Sequence, residues 1–217
     1  MKNKKTNFYF SMILILLSII FTVLSKIIDV KKIGPNDTSV GFATINQFVS
    51  SAVGFNDTWY SITEWLGIFP VLIAVFYVII GFVQLIKRKS VFKVDKEIIL
   101  LGALYIVVFG LYMFFEKIII NYRPVLMEGI LESSYPSSHT LMAVCICGSS
   151  IIVNKKVFNN KISNIANILS TFIAFAVVLG RLISGVHWFT DILGGLLISS
   201  SLLMTYYSII QISKITN

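Results

Sequence analysis

The chain has 217 residues, of which 56% are hydrophobic and only 13% charged, with a mean hydropathy of +0.86. That composition excludes a soluble domain, which would have nowhere to put so much apolar surface, and leaves an all-α polytopic membrane protein. The net charge of +8 raises the question of a nucleic-acid partner, but the placement of the basic residues argues for membrane topology and against nucleic acid.

A spanning helix takes about 20 apolar residues, and six segments qualify: 8–28, 65–86, 98–120, 137–153, 165–183 and 189–210. The expected architecture is one integral membrane domain, 1–217, of six transmembrane helices. The first segment does not read as a cleavable signal peptide, because Val23-Leu24-Ser25-Lys26 offers no small-x-small site. After it, residues 29–63 carry Phe42, Ile45, Phe48, Val49 and Ala52 at helical spacing, which predicts an amphipathic helix lying in the interface. Gly34-Pro35-Asn36-Asp37 and Gly54-Phe55-Asn56-Asp57 punctuate that stretch as turns. Asn36-Asp37-Thr38 and Asn56-Asp57-Thr58 match the glycosylation triplet, a pattern that chance supplies often. Cys145 and Cys147, two apart on a helix, point in different directions and read as small buried hydrophobes rather than a disulfide.

Basic residues sort the ends of these segments. Lys2, Lys4 and Lys5 precede the first, Lys87, Arg88, Lys89, Lys93 and Lys96 follow the second, Lys155, Lys156 and Lys161 follow the fourth, and Lys214 follows the sixth. These are 12 of the 18 Lys and Arg, so their side is expected to be cytoplasmic and to hold both termini. Trp59, Trp65 and Trp188 fall near the opposite face, as an aromatic belt allows.

With that parity, three polar clusters meet at the outer face. Segment three ends there with Lys117, Arg123 and Pro124, and segment four begins there at Pro136-Ser137-Ser138-His139. Segment five ends there with Arg181, and segment six begins there with His187 and Asp191. Ser137 suits an N-cap, and the free N–H groups of the following turn make an anion site. His187 and Asp191, four apart, share a face if the helix has begun by then, which would let the carboxylate fix the imidazole tautomer. Arg123 and Arg181 supply guanidinium forks suited to phosphate oxygens. Glu128 and Glu132 lie in the same outer loop as Arg123.

Together these clusters resemble the signature of the type 2 phosphatidic acid phosphatase (PAP2) superfamily, whose pattern is Lys-x6-Arg-Pro, Pro-Ser-Gly-His and Ser-Arg-x5-His-x3-Asp. The resemblance implies a helical bundle core of the kind shared with vanadium haloperoxidases. It also implies a phosphatase that needs no metal and no cofactor and works through a phosphohistidine. On that resemblance His187 is the nucleophile, Asp191 its orienting partner, and His139 the group that protonates the leaving oxygen and then activates water. Lys117, Arg123, Ser137, Ser138 and Arg181 would hold the phosphate. The expected partner is a lipid phosphate or diphosphate presented by the bilayer: undecaprenyl diphosphate, phosphatidic acid and phosphatidylglycerol phosphate all suit the family. Oligomeric state is not legible.

Three positions depart from the pattern. Gly180 stands in place of Ser, Ser138 in place of Gly, and the residue seven before Arg123 is Glu116, with Lys117 one place late, about 100° around an ideal helix. These departures keep a rival in view, a PAP2-like protein that binds or moves phospholipid headgroups without hydrolysis. A transport or structural bundle with chance motifs is the other alternative.

Overall fold

Residues 2–213, the part of the chain described by this computed structural model, hold eight α-helices, two short 3-10 turns and one two-stranded hairpin. Lys214, counted above for sidedness, lies outside the described residues, as do the side chains of Lys2 and Lys4. In chain order the helices are α1 (Lys2–Ile27), α2 (Ala43–Val53), α3 (Asp57–Leu66), α4 (Ile68–Arg88), α5 (Lys96–Lys117), α6 (Ser138–Val157), α7 (Asn160–Ile183) and α8 (Phe189–Ser213). Strands β1 (Lys31–Lys32) and β2 (Ser39–Val40) pair antiparallel between α1 and α2.

Six helical stretches are long and apolar enough to cross a membrane, and the protein is a multi-pass membrane protein. The second differs in its start from the predicted 65–86, because apolar helix runs from Asp57 to Arg88 with a joint at Gly67 between α3 and α4. Asn56 explains the early start. Its side chain accepts the Trp59 N–H at 3.0 Å, so the residues that read as a turn form the N-cap of α3.

Helix α6 sits at the centre of the bundle, against α4, α5, α7 and α8, and α1 lies along α8. Lipid tails are as apolar as leucine side chains, so burial alone drives little association here and polar contacts between helices add specificity. Ser150 and Ser170 hydrogen-bond at 3.0 Å between α6 and α7, and Asn154 donates to Asn167 at 2.7 Å. Tyr77 of α4 donates to the same Asn154. Each such bond contributes on the order of 0.6 kcal/mol. Cys145 and Cys147 are free and buried.

The segment between α1 and α4 is folded down onto the start of α8. Asp29 accepts the Thr44 N–H at 2.6 Å at the first turn of α2, a bond that holds its carboxyl below the usual carboxylate range. Asn46, fully buried, donates to Gly41 O at 2.8 Å and Thr190 Oγ1 at 2.9 Å, and accepts the Thr190 N–H at 3.1 Å. At the entrance to α3, Asn56 N donates to Ser184 O at 3.0 Å. These bonds tie α2 and α3 to the α7–α8 connection. Because adjacent spans run antiparallel, the C-terminal ends of α5 and α7 and the N-terminal ends of α4, α6 and α8 fall at one end of the bundle.

Candidate active site

His187 lies between α7 and α8, just after a turn at Gly185 (φ 67°). Its Nδ1 is 3.1 Å from the backbone oxygen of Ser134, an atom that only accepts, so Nδ1 carries the proton. Nε2 therefore holds the lone pair; it is buried and has no hydrogen-bond partner. Burial sets the His187 pKa well below the ordinary 6.5, and the charges of Arg123, Arg181 and His139 push it the same way. The imidazole is thus neutral at pH 7, with an unprotonated nitrogen ready to form a bond.

Asp191 plays a different part from the expected direct partner. Its Oδ2 is 3.9 Å from His187 Nδ1, beyond hydrogen-bonding reach. Helix α8 begins at Phe189, so His187 precedes it and the four-residue spacing does not bring the two side chains onto one helical face. Instead Asp191 accepts from Ser134 Oγ, from Trp188 N at 2.9 Å and from Asn121 Nδ2 at 3.4 Å. The Trp188 bond ties back the first turn of α8, in the manner of a capping box. Ser134 thus bridges the pair, touching His187 with its carbonyl and Asp191 with its hydroxyl.

The loop between α5 and α6 supplies Ser134 and Arg123 together. Ser134 N donates to Asn121 O at 2.9 Å and Arg123 N to Glu132 O at 3.0 Å, which holds the two sides of the loop side by side. Arg123 Nη2 is 3.2 Å from Glu132 Oε2, while its Nε and Nη1 are buried without partners. Arg181, fully buried near the end of α7, likewise has Nε and Nη1 unpartnered. Buried guanidinium donors without acceptors are costly, so four of them on two arginines whose charges both act on His187 suit an anion with several oxygens.

His139 lies in the first turn of α6, where Ser137 is the N-cap and accepts the Thr140 N–H at 3.5 Å. The free N–H groups of that turn add to the anion site. His139 Nε2 is 3.6 Å from Glu64 Oε1. Ser138 lines two cavities, one shared with Arg123, Ser134 and His187, the other with His139. Glu116 lines the first of these and accepts from Ser133 Oγ at 3.0 Å. Lys117, expected at the phosphate, is exposed at the end of α5 and is absent from that lining.

The structure therefore brings together Arg123, Ser137, Ser138, His139, Arg181, His187 and Asp191. Sequence reasoning missed Asn121, Ser134, Tyr60 and Glu64. The polar pair Ser133-Ser134, next to Pro136-Ser137-Ser138-His139, was a usable signal. Tyr60 and Glu64 carried none, since they reach the site only by the docking of α3.

The family model of the PAP2 superfamily matches residues 14–214. No curated protein matches the chain significantly. Among solved structures, the crystal structure of a transmembrane PAP2-type phosphatidylglycerolphosphate phosphatase from Bacillus subtilis is similar, with a TM-score of 0.61 at 22% identity. The likeness covers 94% of this chain and 96% of that one and extends to the fold.

Proposed function

The chain belongs to the PAP2 superfamily, and from that premise we propose that it is a metal-independent phosphatase acting on a lipid phosphate or diphosphate through a phosphohistidine. The observation that carries this reading is the neutral His187, with Nδ1–H held by Ser134 O, Nε2 unpartnered, and the charges of Arg123 and Arg181 near enough to act on the ring. Binding alone would need the guanidinium groups; a buried imidazole lone pair near them is what nucleophilic attack needs.

In the first step the Nε2 lone pair forms a bond to phosphorus as the phosphorus–oxygen bond to the lipid breaks. His139 gives its proton to the departing oxygen. The imidazole becomes cationic, and the Asp191 carboxylate, 3.9 Å from Nδ1, offsets that charge. In the second step His139 takes a proton from water, the water oxygen bonds to phosphorus and the nitrogen–phosphorus bond breaks. Arg123, Arg181 and the first-turn N–H groups of α6 hold the phosphoryl oxygens throughout. Lys117 would contribute only by turning its side chain inward from the end of α5.

A lipid substrate is favoured by a cavity of about 320 Å³ beside His139 and Ser138, lined by Gly67, Pro70, Val71, Phe109, Tyr112 and Met142. It lies between α4 and α5, where an acyl or prenyl chain could stay in the bilayer while its headgroup reaches His139. Sidedness follows from the basic residues at the opposite end of the bundle, which favour that end as cytoplasmic and the site as extracytoplasmic. The non-hydrolytic reading draws on Glu116 at the cleft, a negative charge where the family has lysine.

Phosphate release from phosphatidic acid, phosphatidylglycerol phosphate and undecaprenyl diphosphate, with EDTA present, tests the proposal. Release from at least one lipid, lost in His187→Ala, is the expected result. No release from any of them by folded protein would move the protein to the headgroup-binding reading.

A further inference from the structure

Helix α3 closes over Arg181 from one side. Tyr60 and Glu64, one turn apart on that helix, clasp the guanidinium between them: the Tyr60 ring centroid is 5.3 Å from Cζ, and Glu64 Oε1 accepts from Nη2 at 2.5 Å. The same Oε1 is 3.6 Å from His139 Nε2. One carboxylate oxygen thus faces both the group that would hold a phosphoryl oxygen and the nitrogen that would protonate the leaving group. Glu64 is 42% exposed, unlike the fully buried Arg181, so its side chain has room to swing away.

The position of α3 is built in by small residues on its neighbours. A Cβ at Gly180 would lie 2.3 Å from Thr63 Cγ2, which precedes Glu64. A Cβ at Gly67 would come within 2.7 Å of His139 Cδ2. Gly180 is where the family pattern has serine, so the missing hydroxyl coincides with the methyl of Thr63 occupying its space. A carboxylate has been brought next to Arg181 at the position where a hydroxyl donor was lost.

We propose that Glu64 is a surrogate anion for Arg181: it positions Arg181 with an oxygen that also lies near His139, and the substrate phosphoryl group takes Arg181 over from it. This rests on the phosphatase reading for its consequence in turnover, but not for its effect on anion binding. Glu64 is a positioning residue rather than a catalytic one, since it acts through Arg181. It also makes the site selective: a phosphoryl group carrying two charges competes with a carboxylate for a guanidinium better than a singly charged diester does.

The test is orthovanadate binding to the detergent-purified full chain, by isothermal titration calorimetry, for wild type and Glu64→Gln. Hydrolysis of phosphatidic acid in mixed micelles is measured on the same preparations. Glu64→Gln is expected to bind vanadate about tenfold more tightly, because the competing charge is gone. Its KM should fall while kcat does not rise. A structural lesion would weaken binding, so a gain of affinity separates the two. If Glu64→Gln does not fold, Glu64→Asp, which keeps the charge and shortens the reach to Arg181, should show a smaller gain. Vanadate affinity that is unchanged or weaker, with hydrolysis intact, would overturn the proposal and leave the phosphatase reading standing. A gain of affinity with no hydrolysis of phosphatidic acid, phosphatidylglycerol phosphate or undecaprenyl diphosphate by wild type would support the role of Glu64 and sink the phosphatase reading. Failure of both proteins to bind vanadate would overturn both.

Discussion

Replacing Asp191 by Asn isolates what its charge contributes, because the geometry permits the swap. Asp191 Oδ2 accepts from Ser134 Oγ and Trp188 N, and an asparagine oxygen in that place keeps both bonds. The new NH2 then faces Asn121 Nδ2, whose bond to Oδ1 is a long 3.4 Å, so the loss in stability is about 1 kcal/mol. What disappears is the negative charge of the carboxylate that three donors hold, its Oδ2 3.9 Å from His187 Nδ1. When Nε2 forms its bond to phosphorus the ring becomes positive, and at an effective dielectric constant of about 20 the lost attraction is about 4 kcal/mol. That corresponds to about a 10³-fold fall in kcat. Phosphate release in detergent micelles gives kcat, and a thermal melt of the same protein gives stability. The reasoning is refuted if Asp191→Asn keeps more than about a tenth of wild-type kcat. It is equally refuted if activity is lost only because the protein melts at the assay temperature, since Asp191 would then be an anchor for α8 and the Ser134 loop alone.

Gly180→Ser restores the residue of the family pattern but drives a side chain into Thr63, so the melting temperature should fall by an amount corresponding to about 1–3 kcal/mol. Adding Thr63→Ser, which removes the obstructing methyl while keeping the hydroxyl that bonds Trp59 O and Tyr60 O, should recover most of it. The low pKa of His187 has a consequence for pH. The unfolded chain binds this proton near the ordinary 6.5 and the folded chain only well below it, so stability is present above 6.5 and is lost as pH falls beneath it. A pH series of melting temperatures should therefore decline below 6.5 less steeply in His187→Gln than in wild type. For the same reason no acid limb of kcat centred at 6.5 should trace to His187.

Much of the molecule could be read from its sequence because the polar residues are few. Six long apolar runs fix the number of spans, and parity alone then carries Arg123, His139, Arg181 and His187 to one end. Periodicity fails where contacts depend on docking. Residues 57–66 are too mixed to read as part of a span, yet Asn56 caps them into α3, and a methyl-sized gap at Gly180 seats that helix on α7. Neither fact is visible without both partners. Asp191 lies 3.9 Å from His187 Nδ1 rather than in direct hydrogen-bond contact for a local reason: a spacing of four brings side chains onto one face only inside a helix, and α8 starts two residues after His187. Lys117 was credited with a lysine's role at a position where the turn of the helix presents Glu116 to the cleft.

The central claim is that His187 Nε2 bonds to phosphorus. Incubating the protein with a lipid substrate carrying radioactive phosphorus, then quenching in alkali, measures this directly. Label stable to alkali and labile to acid, mapped to the peptide containing His187 and absent from His187→Ala, is expected. Phosphate release by wild type with no label on His187 under any quench, and undiminished release by His187→Ala, would contradict it.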